Sequence, residues 1–223
     1  MKTTKTALVM ICAVTMGSLL AVAPAEARVH RHRVPYRPSQ EEYTQRGLQF
    51  YAGLGGQSYE IEDDDYEYLD EHSSDGMFFL GAAVGLGRNV SLYLEGAGSE
   101  HETDIGDLAF GYTHIGLKYA PGTGRGRSWQ PYGKVSAGAM FLLEEDAHGG
   151  CGCHDDDNGY IGPSFALGVG IDKFVNRHVA LYGEVGMLMG RFNTRLVDGH
   201  DHELADEIGV TSARLQFGIR LRL

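Results

Sequence analysis

The chain has 223 residues, with 30 acidic against 19 basic side chains and a formal net charge of −11. That balance excludes nucleic acid as an expected partner, since phosphate binding runs on clustered cations. With 32 glycines, few helix caps and no heptad period, the chain reads as a single all-β domain. Beyond the N-terminus no segment approaches the ~20 apolar residues of a spanning helix, so any membrane span must be a strand.

Residues 1–27 read as an export signal. Lys2 and Lys5 precede a mostly apolar run from Ala7 to Ala23, and Ala25-Glu26-Ala27 supplies small residues for cleavage. Cys12 lies inside the apolar run after Ile11 and does not suit lipidation. Residues 28–46 are basic, hold two prolines and have no apolar period, so they read as a flexible periplasmic tail. The tail is a solvated spacer or, alternatively, an arm for an anionic partner such as cell wall or lipid head groups.

From 47 onward about eight segments alternate with period two, the signature of strands with two unlike faces. The first (47–59) sets Leu48, Phe50, Ala52 and Leu54 against Gln49, Tyr51 and Gln57. The second (76–87) sets Phe78, Leu80, Ala82, Val84 and Leu86 against Gly81, Ala83, Gly85 and Gly87. In the third (90–99), Val90, Leu92 and Leu94 oppose Ser91, Tyr93 and Glu95; the fourth (108–120) is clear only at Ile115, Leu117 and Tyr119, its upper half being ambiguous in parity. The fifth (129–144) and sixth (160–174) place Val135 to Leu143 and Ile161 to Ile171 opposite Lys134, Ser136, Ser164 and Asp172. The seventh (178–190) opposes Val179, Leu181, Val185 and Met187 to Tyr182, Glu184 and Gly186. The eighth runs from Gly209 to Leu223, with Leu215, Phe217, Ile219 and Leu221 alternating with Arg214, Gln216, Gly218, Arg220 and Arg222.

Each segment has the ~9 to 11 residues that a tilted membrane strand needs. Connections after strands one, three, five and seven are longer or richly polar, while those after two, four and six are short apart from the glycine-rich 121–128. Transmembrane barrels show this asymmetry, with short periplasmic turns and longer external loops. Charge follows it. Stretches 60–75, 100–107, 144–157 and 198–207 hold nine, four, six and five acids with no Lys or Arg, whereas the opposite turns carry Arg88, Arg125, Arg127 and Arg177. With apolar faces toward lipid, small and polar faces fill a narrow bore. Its charges are Glu95, Lys118, Lys134, Asp172, Glu184, Arg214, Arg220 and Arg222, and both signs occur, so paired charges inside a plug are expected. Tyr119 and Trp129 at the basic end and Tyr160 at the acidic end suit interfacial girdles.

On these features the chain resembles the small outer-membrane β-barrel proteins of Gram-negative bacteria, of the OmpA transmembrane-domain, OmpX or opacity-protein type. The resemblance covers Gly47 to Leu223 and rests on pattern, not on one diagnostic motif. It implies an eight-stranded antiparallel up-and-down transmembrane β-barrel (47–223), monomeric and inserted by the barrel-insertion machinery. Outer-membrane lipid and lipopolysaccharide are its surroundings. It also implies that carboxylates on the third and seventh strands engage basic residues inside, with Glu95, Lys134, Glu184 and Arg220 in comparable places. One departure is Leu223, which stands where the family has a terminal aromatic. No peptidoglycan-binding domain is expected after the barrel.

Outside the strands, His148, Cys151, Cys153 and His154 carry soft donors that could hold zinc or copper, or the two cysteines could be bridged or free. Asp63-Asp64-Asp65 offers oxygens to calcium but lacks the spacing of a calcium loop, and His200-Asp201-His202 adds donors without specificity. Strand serines Ser91, Ser136, Ser164 and Ser212 have inward parity, yet the sequence shows no His/Ser/acid set at shared height, and His114 reads as an interior hydrogen-bonding group. The expected role is therefore a non-enzymatic outer-membrane barrel, structural or adhesive, displaying acidic external loops. A narrow pore, a loop-borne divalent-metal binder and a soluble lipocalin-like barrel are the alternatives.

Overall fold

The computed structural model describes residues 47–62, 74–102, 106–121, 128–146, 158–197 and 200–223. The export signal, the basic tail, Asp63 to Asp65, Arg125, Arg127 and the group from His148 to Asp157 lie outside the described residues. Eight strands follow in chain order: β1 Leu48–Glu62, β2 Ser74–Gly85, β3 Val90–Glu102, β4 Gly106–Tyr119, β5 Trp129–Asp146, β6 Asn158–Phe174, β7 Val179–Val197 and β8 His200–Arg222. Each pairs antiparallel with its sequence neighbour, and β1 pairs with β8, so the sheet closes into a barrel. Closure runs from Gln49↔Arg222 to Glu62↔Gly209, leaving neither of these two strands as an open edge over that span.

The period of two is the physical origin of the fold. Closing the sheet sends the even residues of β8 from Ile208 to Arg222 to one side and the odd residues to the other. Leu215, Phe217, Ile219 and Leu221 stand 44–58 % exposed, while Arg214, Gln216, Arg220 and Arg222 are at most 6 % exposed. The same inversion holds around the wall: Leu54, Phe78, Ile115, Val169 and Val185 face out, and Glu95, Lys118, Lys134, Asp172 and Glu184 are buried. A soluble barrel places its aliphatic residues in the reverse sense. All eight charges expected inside are buried.

One end is closed by short turns. Leu86 N–H donates to Val90 O at 2.9 Å, and the Asn176 side chain accepts from the backbone of His178 (2.8 Å) and Val179 (2.9 Å), fixing the β6–β7 turn. At the other end the strands run further than the alternation suggested. Residues 100–102, 106–107, 144–146 and 200–207, expected as acidic loop, are strand, because backbone pairing continues after the apolar pattern has ended. A second correction concerns Tyr160. Its even parity in β6 turns it inward, 2 % exposed and 5.9 Å from the Phe192 ring, so it takes no part in an outer girdle. Tyr119 and Trp129 do stand exposed at the turn end.

Candidate functional site

The barrel interior holds two unlike zones. Toward the loop ends of the strands it is a collar of large apolar side chains: Met77, Phe110, Met140, Leu142 and Phe192, each at most 2 % exposed, while Phe79 lies lower, 5.9 Å from the Tyr182 ring. Tyr59 stacks on Phe110 with ring centroids 5.5 Å apart. This overturns the expectation of an interior that is small and polar throughout. In β4, Leu108, Ala109 and Phe110 are all buried, which is why its parity was ambiguous in sequence.

Beneath the collar lies an ionic zone whose charged side chains come from six strands, β3 to β8. Lys134 (β5) stands 2.7 Å from Glu95 (β3) and 3.0 Å from Glu184 (β7), and Arg214 (β8) approaches the same two carboxylates at 3.6 and 3.9 Å. Tyr112 (β4) donates to Glu95 at 3.0 Å, Gln216 donates to Tyr112 at 3.1 Å, and Tyr132 donates to Glu184 at 3.0 Å. Two carboxylates and two cations thus cancel, and every carboxylate oxygen has a cation or phenol against it. Arg220 does not join Glu184. Its guanidinium binds Asp172 at 2.5 Å, Lys118 reaches the same carboxylate at 2.7 Å, and Tyr51, Tyr132 and Tyr182 surround the guanidinium at 4.7–5.3 Å. The stagger between strands places Asp172 opposite Tyr182 and Tyr182 opposite Gly218, which turns Arg220 away from Glu184.

Long inward side chains need space, and glycines on the adjacent strand supply it. Tyr132 crosses Gly170 to reach Glu184; a Cβ at Gly170 would sit 2.5 Å from the Tyr132 ring. His114 likewise passes over Gly138, where a Cβ would meet its ring at 2.7 Å, and arrives at Ser164. Its Nε2 is 2.7 Å from Ser164 Oγ and its Nδ1 3.2 Å from Ser136 Oγ. His114 is thus an interior hydrogen-bonding group, brought together with two of the inward serines. Both ring nitrogens are held by hydroxyls and not by a carboxylate, and the three residues are at most 6 % exposed.

No group of three or more His, Cys, Asp or Glu suited to a metal occurs among the described residues. His148, Cys151, Cys153 and His154 are outside them, as is their possible zinc, copper or calcium chemistry.

A closed eight-stranded antiparallel wall, oily outside and ionic within, defines the small outer-membrane β-barrel fold. The likeness to solved structures is one of fold alone. Neisserial surface protein A is similar at a TM-score of 0.60 with 11 % identity, over 79 % of this chain and 97 % of that one. OprG of Pseudomonas aeruginosa (TM-score 0.44, 14 % identity, 81 % and 97 % covered) and the attachment invasion locus protein Ail of Yersinia pestis (0.45, 15 %, 79 % and 99 %) are also found. No family model and no curated protein matches the sequence.

Proposed function

We propose that the protein spans the outer membrane as a monomer, exported by its first 27 residues, with its short turns toward the periplasm and its acidic end outside. Its role is structural or adhesive, and the barrel is a plug, neither a channel nor an enzyme. One observation carries the reading: an apolar wall encloses an interior filled at both levels, with Phe110 and Met140 wholly buried above a neutralised Glu95–Lys134–Glu184–Arg214 cluster. An ion entering from the loop end would have to shed water among those apolar side chains, a dewetting barrier of the kind that closes channels. The acid-rich stretches 60–75 and 144–157 support display of a negative surface, suited to divalent ions bridging lipopolysaccharide. Refolded protein in planar bilayers is expected to give no steady conductance steps while showing the heat-dependent gel mobility of a folded barrel. Regular single-channel steps from the wild type would overturn the plug in favour of the pore.

A further inference from the structure

The outer wall is uneven. On the half nearer the turns, Pro131 and Gly133 of β5 and Gly183 of β7 occupy outward positions whose neighbours Val169, Leu215 and Phe217 are large. A shallow, wide-open depression of about 680 Å³ crosses the wall here, lined from Tyr119 of β4 to Phe217 of β8. The depression is open at Gly133, where a Cβ would meet only a backbone oxygen at 3.9 Å, whereas at Gly183 the Phe217 ring already covers the wall, 3.3 Å from where a Cβ would sit. The strand register places a second feature at its end. Trp129 pairs with Lys173 and Lys173 with Leu181, one outward step nearer the turns than Pro131↔Ile171↔Gly183. Lys173 lies over the Trp129 ring at 4.8 Å, and both are exposed.

We propose that this depression is a binding site for one anionic phospholipid, with an acyl chain over Pro131 and Gly133 of β5 and its phosphate at Lys173. The proposal rests on the membrane-spanning reading above. Three features favour this occupant over a second barrel or a peptide. The depression is apolar, and it opens toward lipid. An aromatic ring and an ammonium stand together at its turn end, at the depth where head groups meet acyl chains. The fixed charge there is positive, with exposed Arg177 on the adjacent turn, so an anionic head group complements it and a zwitterionic one does so less.

Trp129 is the only tryptophan, which makes the site readable alone. In vesicles mixing phosphatidylcholine with dibrominated phosphatidylglycerol or the reverse, quenching of Trp129 gives the relative affinity for the two lipids. A nearby lysine contributes roughly fivefold in favour of the anionic lipid. Wild type is expected to show that preference and Lys173→Gln to lose it. Gly133→Leu, which fills the depression, is expected to abolish the single retained phosphatidylglycerol that native mass spectrometry of the wild type should show. Equal quenching by both lipids in the wild type, or a Gly133→Leu protein retaining the lipid as before, would overturn the site. A protein that fails to show heat-dependent mobility in vesicles would instead sink the membrane reading itself.

Discussion

Lys134 holds together two carboxylates that would otherwise face one another across the bore, 2.7 Å to Glu95 and 3.0 Å to Glu184. Arg214 is the only other cation within 4 Å of both among the described residues, and it is more distant. Removing the ammonium leaves buried negative charge short of compensation, a loss of about 3–5 kcal/mol. Urea unfolding in vesicles should show Lys134→Met destabilised on that scale. Glu95→Gln in the same chain should restore part of the loss, because the two effects share one interaction. Sequence parity was enough to place Glu95, Lys134 and Glu184 inside. It could not pair Arg220, since that choice depends on the stagger of β6 and β7 against β8, which local alternation does not encode. Arg214, central to the cluster, was legible only as one more inward charge. The ring set around Arg220 was likewise missed, though Tyr51, Tyr132 and Tyr182 all carry inward parity.

At the scale of a strand, β8 shows how far a simple alternation reaches. Its turn-end half from Arg214 to Arg222 keeps strict parity and was read directly from the sequence. Its other half, His200 to Glu207, has no apolar period and read as loop, yet it continues as the partner of β7 with a register shift between Phe192 and Thr194. Backbone pairing needs no apolar face once the strand has left the hydrocarbon, so the pattern fades before the strand does. The collar went unseen for a related reason. Where both faces of a strand are apolar, as at Leu108 to Phe110, periodicity vanishes although the strand persists. These halves should differ in tolerance. Phe217→Arg on the outward face is expected to cost about 2–4 kcal/mol in bilayers. Glu207→Ala, which removes an exposed ion pair to Arg191 at 2.8 Å, should cost no more than about 1 kcal/mol. Unfolding midpoints of the two variants check the contrast, and a soluble barrel would show little penalty for the arginine.

For the whole molecule, one choice of sidedness organises the rest. If the aliphatic residues meet hydrocarbon, the ions must crowd inward, glycines must thin the wall where tyrosines cross, and the bore must close. The measurement that tests this most directly is spin-label accessibility at Leu215, Phe217, Ile219 and Glu207, each replaced by cysteine in a Cys151→Ser/Cys153→Ser background in lipid vesicles. The first three labels should collide with dissolved oxygen far more than with a water-soluble nickel chelate, and the label at Glu207 should do the opposite. Labels at Leu215, Phe217 and Ile219 reached by neither quencher, or reached by the nickel chelate first, would contradict the account.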